Sequence, residues 1–368
     1  MSTPQSPTRR SLRMRVSATP HDDRERSLET LALGIGAVAF IVVGLVAIVT
    51  FRFADAPISG PGSVGQFAAI ASGVAAFVAF IAGRYVVHDR EAGHTMTVLD
   101  MIDVVALAFA HAIIALLSWT LLSVILEAGF IDATVFSLPL IILSATAGAV
   151  TAYLVFFSAT HMDLQLLAII LASFLAEGVL TAMLTASDPH WWQENLSALG
   201  MTDDLSAMTF NLTLIVAGFI VTTLARYATR DIPTPHPTGL RNVRRCLIVV
   251  GVFLGLVGVF TVDEFFGIHT AVASGMVVAF ATLVFGLRSW IPALPKAFTT
   301  LGYVFIAVIV LLAIFFAVGF YTLTAVELVA GILVFAWIVL FIRNSAALEK
   351  DARDERAASV ASPRQGDA

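Results

Sequence analysis

The sequence predicts an all-α fold, a polytopic integral membrane helix bundle of about ten transmembrane helices. Three observations carry that prediction. Hydrophobic residues fill 58% of the 368 positions, charged residues only 13%, and the mean hydropathy is +0.91. A water-soluble domain carries roughly 25% charged residues. The apolar residues fall into ten runs, each close to the twenty or so needed to cross about 30 Å of hydrocarbon. The connections also sort by charge: with the N-terminus inside, every one of the 21 Lys and Arg except Arg52 lies on the inner side.

In chain order, residues 1–28 hold six Arg among Ser, Thr and Pro and read as a disordered, Arg-rich cytoplasmic tail. The first apolar run, 30–51, exceeds the 7–15 residues of a cleavable leader's core and is expected to stay as an anchor. Runs at 65–87, 101–127 and 134–157 complete a four-helix N-terminal membrane region, 29–157. A six-helix module, 158–345, follows, with spans near 164–186, 207–228, 244–263, 267–287, 298–319 and 324–343. Each must be helical, because hydrocarbon offers the backbone no other partner. The connection Asp231–Gly239 has Pro at 233, 235 and 237 and predicts a stiff, extended turn. Arg241, Arg244 and Arg245 follow it, suited to anionic headgroups. Residues 346–368 read as a second cytoplasmic tail, disordered beyond a helical stub.

The charge sorting puts both termini in the cytoplasm, and the Arg, Ala and Val bias suggests a bacterial plasma membrane. Cys246 is the only cysteine, which excludes an internal disulfide and a Cys-based metal cage. No phosphate-binding glycine loop, dinucleotide fingerprint or nucleophile elbow occurs. No cofactor and no nucleic-acid partner are expected.

Polar residues inside apolar runs mark candidate chemistry, since a mid-membrane carboxylate costs about 2.5–3.5 kcal/mol on insertion scales. Glu177 is such a residue. Ser173, Glu177, Thr181 and Thr185 recur every four positions and predict a polar stripe rising toward the long outer loop. Two readings of Glu177 stand: a proton- or cation-binding carboxylate, or a protonated group tied to a neighbouring helix. His111 reads as a buried hydrogen-bonding residue. Asp100 and Asp103 mark the inner end of helix three.

The loop after helix five holds His190, Trp191, Trp192 and Asn195, and Asn211 opens helix six. The two Trp suit interfacial anchoring or an aromatic wall around a ligand. Helix seven carries Gly251, Gly255 and Gly258, a face for close helix contact. Asp263 with Glu264, then His269, return the chain to the same outer face. The candidate ligand-binding set is therefore Glu177, His190, Trp191, Trp192, Asn195, Asn211, Asp263 and His269. The spacing matches no tight metal motif, so no metal site is assigned and catalytic residues stay unassigned.

Several short motifs lie in this second half: His190-Trp191, Asn195-Leu-Ser-Ala-Leu-Gly200, Phe210-Asn211, Leu214–Gly218, Gly258-Val-Phe260, His269-Thr270 and Ala273-Ser274. Through them residues 160–345 resemble the domain-of-unknown-function family 998, distantly related to the DRAM, Frag and Sfk membrane proteins. Thr261 stands where members often carry Pro, and the four N-terminal helices are extra. The resemblance implies architecture, with relatives linked to lipid handling, and no defined activity. The leading expectation is a binder or transporter of a lipid or other amphiphile with an outward-facing site and membrane lipids as partners. The alternatives are a membrane-embedded hydrolase with an outward Glu/His/Asp site and a membrane scaffold or assembly protein. Oligomeric state is left open.

Overall fold

The computed structural model describes residues 20–90, 98–229, 232 and 237–361. Among these residues the apolar runs form ten helices long and apolar enough to cross a membrane. They are α1 (Pro20–Phe51), α2 (Val64–Arg90), α3 (Val98–Gly129), α4 (Ser137–Thr160) and α5 (Leu164–Thr185). The rest are α6 (Leu205–Tyr227), α7 (Pro237–Val259), α8 (Phe266–Trp290), α9 (Lys296–Ala317) and α10 (Leu323–Ala361). The fold is an all-α polytopic bundle.

Helix ends depart from the sequence expectation for local reasons. Asp163 starts α5 by accepting the Leu166 N–H at 2.7 Å, and Asp204 starts α6 by accepting the Ala207 N–H at 3.0 Å. Both satisfy donors that the first turn leaves open. Helix α7 opens at Pro237, seven residues before the expected 244, because a proline at the first helical position gives up no needed N–H. The proline-rich turn expected from Asp231 lies outside the described residues apart from Ile232 and the helical Pro237–Gly239. Helix α1 begins at Pro20, inside the stretch read as a tail, and residues 1–19 lie outside the described residues. Helix α10 runs 39 residues to Ala361, well beyond the expected short stub, and Arg353 pairs with Glu349 one turn back.

The chain packs as two groups. Helix α2 lies against both α3 and α4, and α1 covers the flank of α4. Among α5–α10, α6 is central between α5 and α7, and α8 packs on α7. Burial follows: 67% of the α6 span is covered against 6% for α9, so the rest of the chain leaves α9 almost bare. What holds α9 to α10 is aromatic. Trp337, fully buried, stacks on Phe298 at 4.9 Å and on Phe341 at 5.9 Å.

The α6–α7 contact is made by glycines. A β-carbon at Gly218 would lie 2.4 Å from the Gly251 carbonyl and 2.6 Å from the Gly255 nitrogen, so the two backbones touch. The two groups meet where α3 lies against α5 and α6. Asp103 of α3 accepts from Arg226 and from the Tyr227 hydroxyl of α6, so it ties the groups together rather than only marking an interface.

The ends of α2, α6 and α10 and the starts of α3 and α5 share one face, here the terminal face. On the opposite, distal face a two-residue strand β1 (Ala56–Pro57) pairs antiparallel with β2 (Thr134–Val135). This links the α1–α2 and α3–α4 connections, and the Ser137 N–H to Asp55 reinforces it.

Candidate functional site

The long α5–α6 connection folds into two short 3-10 helices, Trp191–Gln193 and Leu196–Gly200. Asp204 closes its ends: it accepts from the Ser187 N–H, the Thr202 hydroxyl at 2.7 Å and the Ala207 N–H. Burial pushes its carboxyl upward, but these donors outweigh that and hold it at about 2, below the usual carboxylate range.

Three helices then grip the second 3-10 helix. The Leu196 N–H donates to Glu327 of α10 at 2.6 Å. Ser197 meets His269 Nε2 at 3.1 Å, and His269 Nδ1 lies 2.7 Å from the Phe260 carbonyl. A carbonyl only accepts, so Nδ1 carries the proton, and in the neutral ring Ser197 donates to Nε2. Asn211 Nδ2 donates to the Gly200 carbonyl at 3.0 Å. At the base of α6 the Ser206 hydroxyl donates to Ala182 of α5. The motif residues Asn195–Gly200, Asn211 and His269 are thus brought together as one cap on the distal face.

The remaining candidates scatter. His190 is exposed and its side chain meets only Asp188, at 3.8 Å. It does not join His269 among the described residues. Asp263 lies exposed in the α7–α8 turn. Trp191 packs against the core while Trp192 is 49% exposed, the disposition of interfacial anchors. Asn195 contributes a buried side-chain oxygen that has no hydrogen-bond partner among the described residues.

Glu177 faces α3, where the Ser118 hydroxyl donates to it at 2.7 Å. Above it on the same helix, Thr181 and Thr185 keep their hydroxyl donors within α5. They donate to the carbonyls of Glu177 and Thr181, one turn back in their own helix. His111 bonds Leu107 and Ser158 and joins α3 to α4, as a buried hydrogen-bonding residue does. Among the described residues no three His, Cys, Asp or Glu converge to hold a metal ion.

Two participants escape sequence reading. Glu327 is one, although its position in the apolar run after Leu323 is the same signal that marks Glu177. Ser118 is the other, since a serine in an apolar helix announces nothing about its partner.

On the distal side a cavity of about 470 Å³ lies among α2, α3 and α4, walled by Ile58, Trp119, Leu122, Phe130, Phe136 and Leu143. On the terminal face a cavity of about 740 Å³ lies between the two groups, with both charged and apolar walls.

Residues 166–344 match the model of the family described as Protein of unknown function (DUF998). The matched segment is α5–α10 short of the α10 extension, and α1–α4 lie outside it. No curated protein and no solved structure matches the chain.

Proposed function

We propose that the protein binds a membrane amphiphile, holding or transferring it, with an apolar chain seated in the distal cavity among α2, α3 and α4. The observation that carries this reading is that the polar atoms of several wall residues are already satisfied. The Trp119 N–H donates to Thr151 at 2.9 Å, the Ser123 hydroxyl to the Thr120 carbonyl and the Thr146 hydroxyl to the Ile142 carbonyl. These residues offer the interior mainly carbon, which water wets poorly and a hydrocarbon chain suits. The volume falls within the roughly 300–1,000 Å³ of ligand pockets. In this reading the walls come from the N-terminal helices rather than from Glu177, His190 or Asp263, which the sequence pointed to.

The orientation belongs to the same proposal. Among the described residues the basic side chains other than Arg52 belong to helix ends on the terminal face, as with Arg84, Arg226, Arg241, Arg288, Lys296 and Arg343. On the positive-inside rule that face is cytoplasmic and the distal cavity opens outward, in a bacterial plasma membrane.

Mass spectrometry of the purified protein tests the reading by identifying co-purified amphiphiles. Ala133→Trp, on a connection at the cavity, narrows it without entering a helix core. Loss of the bound amphiphile from a normally folded A133W supports the proposal. Unchanged lipid content in A133W and in Leu122→Trp sinks it.

A hydrolase reading has one supporting observation, the Ser197 hydroxyl on His269 Nε2 with Nδ1 oriented by a carbonyl. Covalent labelling of Ser197 by a fluorophosphonate, abolished in His269→Gln, would favour it. Absence of labelling leaves the pair as a clamp.

A further inference from the structure

We propose that the junction between the distal cap and the start of α10 binds a monovalent alkali-metal cation through oxygens of Asn195, Thr324 and Glu327. The site is independent of the amphiphile reading and of both cavities.

Glu327 sits one turn into α10, and its carboxylate accepts the Leu196 N–H at 2.6 Å. It has no basic partner among the described residues. One N–H does not neutralise a carboxylate withdrawn from water; such groups are paired, metal-bound or protonated. Two other oxygens, Asn195 Oδ1 and Thr324 Oγ1, are buried without a hydrogen-bond partner among the described residues. Thr324 is only 6% exposed. Orphaned polar atoms of this kind are uncommon in folded proteins, and an ion or water is one reason for them.

The chain itself keeps these groups together. Asn195 is bonded to Leu196, so its amide oxygen stays within about 5 Å of the nitrogen that touches Glu327. Thr324 precedes Glu327 by three residues on α10, which puts both on one helix face with their Cβ atoms about 5–6 Å apart. The second 3-10 helix packs against α10 at this point.

A carboxylate, an amide carbonyl and a hydroxyl are hard oxygen donors, suited to alkali and alkaline-earth cations rather than to softer metals. Charge selects between the two groups. Among the described residues no three His, Cys, Asp or Glu converge, and a lone carboxylate balances a single positive charge. A bound cation would neutralise Glu327 and give both orphaned oxygens a partner, tying the second 3-10 helix to α10. Glu327 is only partly buried, which leaves an approach from the distal face. The competing arrangement is a protonated Glu327 donating to Asn195, which leaves Thr324 unanswered.

Melting of the full chain in a neutral detergent tests this, with sodium, lithium or potassium chloride replacing choline chloride at constant ionic strength. A saturable rise in melting temperature is expected with at least one of the three alkali cations, and that cation is then titrated against the variants. Glu327→Gln can still accept the Leu196 N–H, so it should fold in choline and lose the response. Thr324→Val keeps the shape without the hydroxyl. It should melt no lower in choline, yet bind the cation about tenfold more weakly. Asn195→Ala should weaken binding similarly, and these two variants carry the test if E327Q does not fold. A wild type indifferent to all three cations would overturn the proposal. So would an E327Q that melts like the wild type in every salt, which would identify a protonated acid. Unchanged affinity in both T324V and N195A would reduce the response to a general salt effect. Calcium acting at far lower concentration than the alkali cations would refute a monovalent site.

Discussion

At the scale of single residues, the polar groups of the second half act mostly as ties between elements. His269 shows this best. It is buried at 7% exposure, and both ring nitrogens are engaged, one by Ser197 and one by the Phe260 carbonyl. Groups in direct contact couple by about 0.5–3 kcal/mol, whereas distant sites add within a few tenths. Ser197→Ala and His269→Gln are therefore expected to be non-additive in thermal unfolding, and His190→Ala should add simply to His269→Gln. Coupling of His190 with His269, and not of Ser197, would refute the arrangement of the cap. Asp204 makes a pH-dependent tie. Its carboxyl sits at about 2 in the fold, against about 3.9 when free. A carboxyl lowered by folding stabilises the folded loop above about pH 4, and that contribution fades as the pH drops toward 2. Fluorescence of Trp191 and Trp192 should report loosening of the loop across that window. Asp204→Asn should remove this acid step while costing something near the ~1 kcal/mol of a lost helix cap at neutral pH. An identical acid profile in the variant would mean that another group governs the loop.

At the scale of elements, some contacts were legible in the sequence and others were not, and the difference is physical. The glycine face of α7 was legible because only glycine lets two backbones touch, so Gly251 and Gly255 announce a close neighbour. Which helix that is, α6 through Gly218, depends on topology and could not be read. The Asp163 and Asp204 caps sit immediately before their helices, where local sequence carries the signal. Glu177 was legible as a misfit in hydrocarbon, yet its donor Ser118 lies 59 positions earlier on α3 and no local pattern connects them. The threonines above Glu177 show a related limit. Periodicity says which face Thr181 and Thr185 share, but not that each hydroxyl turns back to its own helix. The α6–α7 contact can be tested directly. Gly218→Ala places a methyl group 2.4 Å from the Gly251 carbonyl, and backbone cannot yield as a side-chain tip does. Overpacking of that kind costs about 1–3 kcal/mol. Gly331→Ala, where nothing lies within 4 Å of the new carbon, should be neutral or stabilise α10 by roughly 0.5–1 kcal/mol. Equal melting temperatures for the two variants in detergent would mean that α6 and α7 are not in backbone contact.

At the scale of the whole molecule, the helix count follows from hydropathy alone, because length and polarity are the constraints a bilayer imposes. The division into four and six helices is instead what the family resemblance implied. The seam between the groups was hidden. Its ion pair joins Asp103 to Arg226, 123 positions apart, and the terminal cavity forms only when α2, α3, α5, α6 and α10 meet. The extension of α10 was hidden too, since a polar, charged helix beyond a span reads like a tail until it has something to cover. The two cavities lie at opposite ends of the bundle, so their chemistry depends on which face is cytoplasmic. The proposed orientation puts the charged cavity inside and the apolar one outside. Single cysteines resolve it, after Cys246 is replaced by Ala. Cysteines at Asp203 and Asp263, both exposed on the distal face, should react with an impermeant thiol reagent in intact cells. One at Thr238, exposed in the first turn of α7 on the terminal face, should react only after the membrane is opened. Labelling of Thr238→Cys from outside would invert the molecule. The positive-inside sorting would then fail for all the basic residues but Arg52, and the charged terminal cavity would face the exterior leaflet.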